Sequence, residues 1–129
     1  MPNKEWVQMA IDAREHAYVP YSNFRVGAAL VAKDGTIFKG CNIENASYGL
    51  SNCAERTAFF KAVSEGKTEF LHLIVSGDTK EPISPCGACR QVMSEFCDPN
   101  MPVTLVAGDG HYVTTTVEAL LPYSFSEEK

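Results

Sequence analysis

The chain of 129 residues carries a formal net charge of -5 and 45% hydrophobic residues, enough for one domain (residues 1–129) with one core, and too apolar for a disordered chain. No apolar run approaches the roughly 20 residues of a membrane span, and the N-terminus lacks the basic-then-apolar pattern of a secretory signal, so a soluble cytoplasmic protein without a membrane partner is expected. The 11 Lys and Arg are scattered through the chain, whereas a nucleic-acid partner would demand a basic surface, so a small neutral or cationic ligand is expected instead.

The apolar residues Trp6, Met9, Ala10, Ala13 and Ala17 recur at helical spacing and predict a helix over 5–18, capped by Asn3 and stopped by Pro20. Residues 24–32 and 37–43 predict paired antiparallel strands, joined through Asp34-Gly35, a two-residue hairpin signal. The polar run 44–52 has loop composition, suited to facing a ligand. Asn52 can cap a helix over about 53–65 that Gly66 closes. The continuous apolar run 70–76 suits a strand covered on both faces. Ser84 with Pro85 behind it predicts the start of a third helix, ending near Phe96 before Asp98-Pro99-Asn100. Strands over 102–107 and 111–115 follow, then a short helix over 117–121 capped by Thr116 and stopped by Pro122. The order α-β-β-α-β-α-β-β-α predicts an α/β fold, a three-layer α/β/α arrangement around a mixed five-stranded sheet.

Cysteines stand at 41, 53, 86, 89 and 97. Their odd number and the missing secretory context disfavour a disulfide framework and give weight to metal binding or catalysis. Cys53 opens the second predicted helix, and Cys86 and Cys89 sit in the first turn of the third, sharing one helix face. One strand returns the chain between these helices, so the two run parallel and start at the same end of the sheet. If they lie side by side, the three sulfurs meet there. Helix N-termini favour thiolate, and three protein ligands with an open fourth position are the catalytic zinc pattern. Other readings stay open at this point. Cys86-x-x-Cys89 could be a redox dithiol, Cys41 or Cys97 could close a structural four-sulfur site, and Glu55 could be a capping-box residue three after Asn52.

Cys53-Ala54-Glu55 and Pro85-Cys86-Gly87-Ala88-Cys89 resemble the zinc-deaminase signature, in which a glutamate stands two after the first ligand. With Phe24-Arg25-Val26-Gly27-Ala28-Ala29 and Cys41-Asn42-Ile43-Glu44-Asn45-Ala46-Ser47-Tyr48, the chain resembles the short-chain cytidine deaminases with three cysteine ligands. The resemblance implies one zinc ion (Zn2+) per subunit on Cys53, Cys86 and Cys89, Glu55 as the proton carrier, and hydrolysis of cytidine or deoxycytidine to the uracil nucleoside and ammonia in pyrimidine salvage. It implies that Arg56 balances the charge of the thiolates and that Phe24 lies on the pyrimidine. Asn42 and Glu44 would hold the ribose 3′-hydroxyl, the Ala54 N–H would meet O2, and the Ser84 carbonyl the 4-amino group. It further implies a homotetramer in which Ala46, Tyr48 and Phe125 reach a neighbouring subunit's nucleoside. Competing functions are a deaminase of another cytosine-containing small molecule, a nucleic-acid cytosine deaminase, and a structural zinc module. No role for Cys41, Cys97 or Arg90 follows from the sequence.

Overall fold

In the computed structural model, residues 3–126 are described. Helix α1 (Lys4–Ala13) begins at Asn3, whose side chain accepts from the Glu5 and Trp6 N–H groups; it tightens into a 3-10 turn, Arg14–His16, short of the predicted end at 18. Strands β1 (Val26–Ala32) and β2 (Ile37–Cys41) pair antiparallel. The expected two-residue hairpin is a three-residue one. Gly35 donates to the Ala32 carbonyl, Ala32 donates to the Thr36 carbonyl, and Gly35 takes φ +93°. The Asp34-Gly35 signal was sound, but the glycine closes a turn with a bulge.

A 3-10 turn, Tyr48–Leu50, interrupts the loop before α2 (Ala54–Ser64). Then come β3 (Phe70–Gly77), α3 (Gly87–Phe96), β4 (Pro102–Val106), β5 (Tyr112–Thr116) and α4 (Val117–Leu120). The five strands form one sheet in the order β2-β1-β3-β4-β5. Only β3 and β4 are parallel, because α3 carries the chain over the sheet between them. The mixed five-stranded sheet is therefore as expected.

Two apolar clusters place the layers. Leu30, Leu73, Val75 and Val103 point to the side where Ala58 and Phe59 of α2 and Met93 of α3 pack. Ala29, Val31, Ile74 and Val106 meet Ala10 of α1 on the other face, with Trp6 and Met9 packed beside them. Alternation along each strand divides the side chains between these faces, giving the α/β/α layering.

Two predicted caps are corrected. Asn52 does not cap α2, because its N–H and carbonyl both pair with Ile43 at 2.9 Å and keep the chain extended to Cys53. Cys53 is the N-cap, with no side-chain cap bond. Ser84 and Pro85 likewise lie before α3, whose N-cap is Cys86. Both helices begin one or two residues late, each on a metal-ligand candidate.

Two glycines allow the helices to approach. A Cβ on Gly27 would lie 2.1 Å from the Ala10 carbonyl oxygen, and one on Gly40 would lie 2.4 Å from that of Ala54. The second contact seats the start of α2, and hence Cys53, against β2.

Candidate metal centre and active site

The N-termini of α2 and α3 bring Cys53, Cys86 and Cys89 together, with all three Sγ atoms within 4.8 Å of one another. Cys53 and Cys86 are 3.8 Å apart, and Cys86 and Cys89 are 3.4 Å apart. Sulfurs about 2.3 Å from one tetrahedral zinc would lie about 3.8 Å from each other. The spacing and the donor chemistry thus fit a zinc ion on these three thiolates.

The backbone prepares the ligands. Cys86 Sγ accepts the Cys89 N–H at 3.5 Å, the cap bond of α3. The Thr57 hydroxyl donates to the Cys53 carbonyl at 3.1 Å, and Asn52 Nδ2 donates to Thr57 Oγ1. Cys53 spends no side-chain bond on capping, so its sulfur stays directed at the cluster. Cys97 terminates α3 and Cys41 ends β2. Both stand outside the three-thiol group. Ten helical residues rise about 15 Å, which separates Cys97 from the ligand end of α3. Burial pushes the Cys97 thiol, packed against the core, up to about 12 and raises that of the partly exposed Cys41.

Arg56 Nη2 donates to Cys53 Sγ at 3.3 Å, and its Nε is buried without a protein acceptor. A hydrogen bond from Cys89, aided by Arg56, holds the Cys53 thiol down to about 5. The same coupling to Cys53, together with burial, raises Cys89. One sulfur is thereby set up to ionise first, beside a fixed positive charge. Glu55 is 4% exposed, and burial raises its carboxyl above the usual range, with the Cys53 charge acting the same way. A buried carboxyl of this kind holds its proton more readily than one in water. Its position inside α2 and its burial remove the capping-box reading.

The other expected ligand contacts lie in loops. Phe24 is 38% exposed, so it does not belong to the core. The Asn42 side chain ties the strand ends together: Nδ2 donates to the Phe24 carbonyl at 2.8 Å, and Oδ1 accepts from the Val26 N–H at 2.9 Å. One amide hydrogen of Asn42 remains for a ligand. Glu44 accepts from the Tyr21 and Ser22 N–H groups at 3.1 Å and from the Ser22 hydroxyl. The hydroxyl bond is the main reason its carboxyl stays low. Tyr21, Ser22, Glu44, Tyr48 and Ser51 line a depression of about 360 Å³.

Ala54 is fully buried, and Ser84 is exposed at the approach to Cys86. Ala46 is exposed, while Tyr48 is 80% and Phe125 73% exposed, all displayed outward. A larger cavity of about 490 Å³ lies between the end of α3 and the tail, lined by Cys97, Val117, Leu121 and Tyr123. Neither lining includes Cys53, Cys86, Cys89 or Glu55, and of the expected site residues Glu44 and Tyr48 line the smaller depression. Sequence reasoning missed the turn that anchors Glu44 and the hydrogen bonds of Arg90. The first had a signal in Ser22, a short hydroxyl two residues before the expected ligand residue Phe24, and the second had none. Among the described residues, no helix is long and apolar enough to cross a membrane.

Comparison with known proteins agrees with this geometry. Residues 1–105 match the family described as the cytidine and deoxycytidylate deaminase zinc-binding region. A cytidine deaminase of Sporosarcina psychrophila is 63% identical over 90% of this chain and 85% of its own. One from Halalkalibacterium halodurans is 55% identical over 99% of this chain and 97% of its own. The crystal structure of a cytidine deaminase from Burkholderia pseudomallei superimposes with a TM-score of 0.93 at 53% identity, covering 97% of this chain and 100% of that one. A three-sulfur cluster at two helix starts, a buried glutamate two residues after its first ligand, and a family match over most of the chain converge: the protein belongs to the zinc-binding cytidine and deoxycytidylate deaminases.

Proposed function

We propose that this protein hydrolyses cytidine and deoxycytidine to uridine and deoxyuridine with release of ammonia, a pyrimidine salvage reaction. The observation that carries this reading is the three-thiol cluster with Glu55 buried beside it. Cys53, Cys86 and Cys89 would hold the zinc. Bound there, zinc supplies Lewis acidity that makes water a nucleophile at neutral pH.

The protein's own residues do the rest. Glu55 takes a proton from the attacking water, passes it to N3 of the cytosine, and then helps protonate the departing 4-amino group. Its burial supports this role, since desolvation raises the carboxyl and makes it a better proton acceptor than a solvated glutamate. Three thiolates outweigh a dication by one charge, which would weaken activation of the water. Arg56, bonded to Cys53, offsets that excess, and the helix dipoles act in the same direction.

Phe24 packs on the pyrimidine face, while the Ala54 N–H and the Ser84 carbonyl read O2 and the 4-amino group. Asn42 and Glu44 take the ribose 3′-hydroxyl. Their bonds to the segments 21–22 and 24–26 support this reading, because the Asn42 N–H donor and the Glu44 carboxylate acceptor are already oriented. Ala46, Tyr48 and Phe125 complete a neighbouring subunit's site in a homotetramer, which agrees with their outward exposure. The whole activity resides in one domain, residues 1–129. Five free cysteines fit a reducing, cytoplasmic setting.

Zinc-loaded protein is offered cytidine, deoxycytidine, cytidine monophosphate and single-stranded DNA, with ammonia release as the readout. Release from the free nucleosides alone is expected, with the rate falling about 10²–10⁴-fold in Glu55→Gln at unchanged zinc content. Release from cytidine monophosphate or DNA but not from the nucleosides would transfer the function to another substrate class. Silence on all four with stoichiometric zinc would leave a structural zinc module.

A further inference from the structure

Arg90 follows the last candidate metal ligand, and its side chain faces away from the thiols. Its guanidinium makes three hydrogen bonds to three different places. Nε donates to the Pro85 carbonyl at 2.9 Å, Nη2 to the Ser84 hydroxyl at 2.7 Å, and Nη1 to the Leu120 carbonyl at 2.8 Å. The first two hold the stretch leading into Cys86, which is neither helix nor strand and in which Pro85 has no N–H to contribute. The third reaches the last residue of α4, where a carbonyl needs a partner and a cation is favoured.

The same side of α3 carries the chain beyond α4. Gln91 Nε2 donates to the Phe125 carbonyl at 3.1 Å, and the Ser94 hydroxyl donates to that of Ser124 at 3.0 Å. Between these anchors Tyr123 takes φ 56°, a left-handed conformation unfavourable for a side-chain-bearing residue. The anchors hold the tail on that unfavourable path.

We propose that Arg90 is a positioning residue for the deamination. One planar fork fixes the segment 84–85 at the protein's own site and the root of the tail that carries Phe125. The proposal rests on the reading above, in which the Ser84 carbonyl meets the 4-amino group and Phe125 enters the neighbouring site. A guanidinium can satisfy three divergent acceptors from a rigid plane, and a lysine ammonium on a flexible stem cannot reproduce that fan.

The test is Arg90→Lys in the zinc-loaded protein, which keeps the charge and most of the stem. The expected outcome is a KM for cytidine raised about ten-fold, on the order of one lost charge-assisted hydrogen bond, with kcat changed less and zinc per subunit unaltered. Amide exchange should quicken at 121 and 123–125 while the amides of β3 keep their parental rates. Parental KM and tail exchange overturns the proposal. So does failure to fold, or loosening spread evenly over the protein, since either makes Arg90 merely structural. Phe125→Ala measured in parallel separates the two claims. An unaltered KM in that variant sinks the shared nucleoside site, whereas a raised KM there beside a parental Arg90→Lys sinks the role of Arg90 alone.

Discussion

Glu55 and Arg56 are adjacent in the chain and serve one cluster in different ways. Glu55 is sealed from solvent with its carboxyl raised, and Arg56 holds its charge against Cys53. Their residue types and spacing were legible in the sequence. The burial that raises the Glu55 carboxyl was not, because it comes from elements distant in the chain. His72 shows the same limit on the far face of the sheet. It sits in an apolar run, yet it is a buried polar group whose Nε2 meets Thr104 Oγ1 at 2.7 Å, and Thr104 in turn meets Thr114 at 3.0 Å. The Trp6 ring lies edge-on to it, with centroids 5.7 Å apart. Burial holds its pKa below the ordinary value of about 6.5. As pH falls below that value, the unfolded chain takes up a proton that the fold resists. Stability is therefore present above about pH 6.5 and is lost as pH falls through the lower folded pKa. The urea midpoint of the parent should drop over that window, and His72→Gln should flatten the drop. An identical acid limb in the variant would remove His72 as its source.

Helices α2 and α3 owe their placement to backbone contacts rather than to side-chain pattern. Gly40 lets the first turn of α2 touch β2, with the would-be Cβ 2.7 Å from the Ala58 nitrogen as well as 2.4 Å from the Ala54 oxygen. Neither neighbour is a flexible side chain, so an added methyl must move the helix that starts at Cys53. Gly27 has the same function beneath α1, on the face away from the thiols. Gly40→Ala and Gly27→Ala should each destabilise by about 1–3 kcal/mol, the ordinary range for overpacking. Of the two, only Gly40→Ala should also weaken zinc binding, because α2, unlike α1, starts at a metal-ligand candidate. A chemical denaturation series beside a competitive zinc titration checks both, and equal zinc affinity in the two variants would detach Cys53 from the seating of α2. Helix existence followed from periodicity, as did the stops at Gly66 and before Asp98. The starts did not, since Asn52 is held by Ile43 and Ser84 by Arg90. Competition from tertiary partners displaced both predicted caps by one or two residues.

For the molecule as a whole, the outward apolar groups stand out. Tyr18 is 58% exposed, Tyr48 80%, Leu50 72% and Phe125 73%. Such exposure is costly in an isolated chain of 14.1 kDa. With a shared-site tetramer, sedimentation should give four times that chain mass, and Leu50→Glu should produce smaller species with reduced deamination, by placing a charge at an apolar contact. A monomeric parent with full activity would refute the shared sites. The resemblance of the segments around 24 and 42–48 pointed to this surface, whereas composition alone was silent.

The sequence by itself determined the kind of chemistry, because ligand type and spacing are local. Cys86 and Cys89 share a face at i and i+3, and Glu55 must follow Cys53 on whatever element carries them. It also determined the order of helices and strands through their hydrophobic periods, and with them the mixed sheet. Only the tertiary structure decided the distances between sulfurs contributed by two helices, the burial of Glu55, the anchored turn under Glu44, and the reach of Arg90 to Leu120. Each of these depends on groups far apart in sequence, whose separation is set by packing across the sheet.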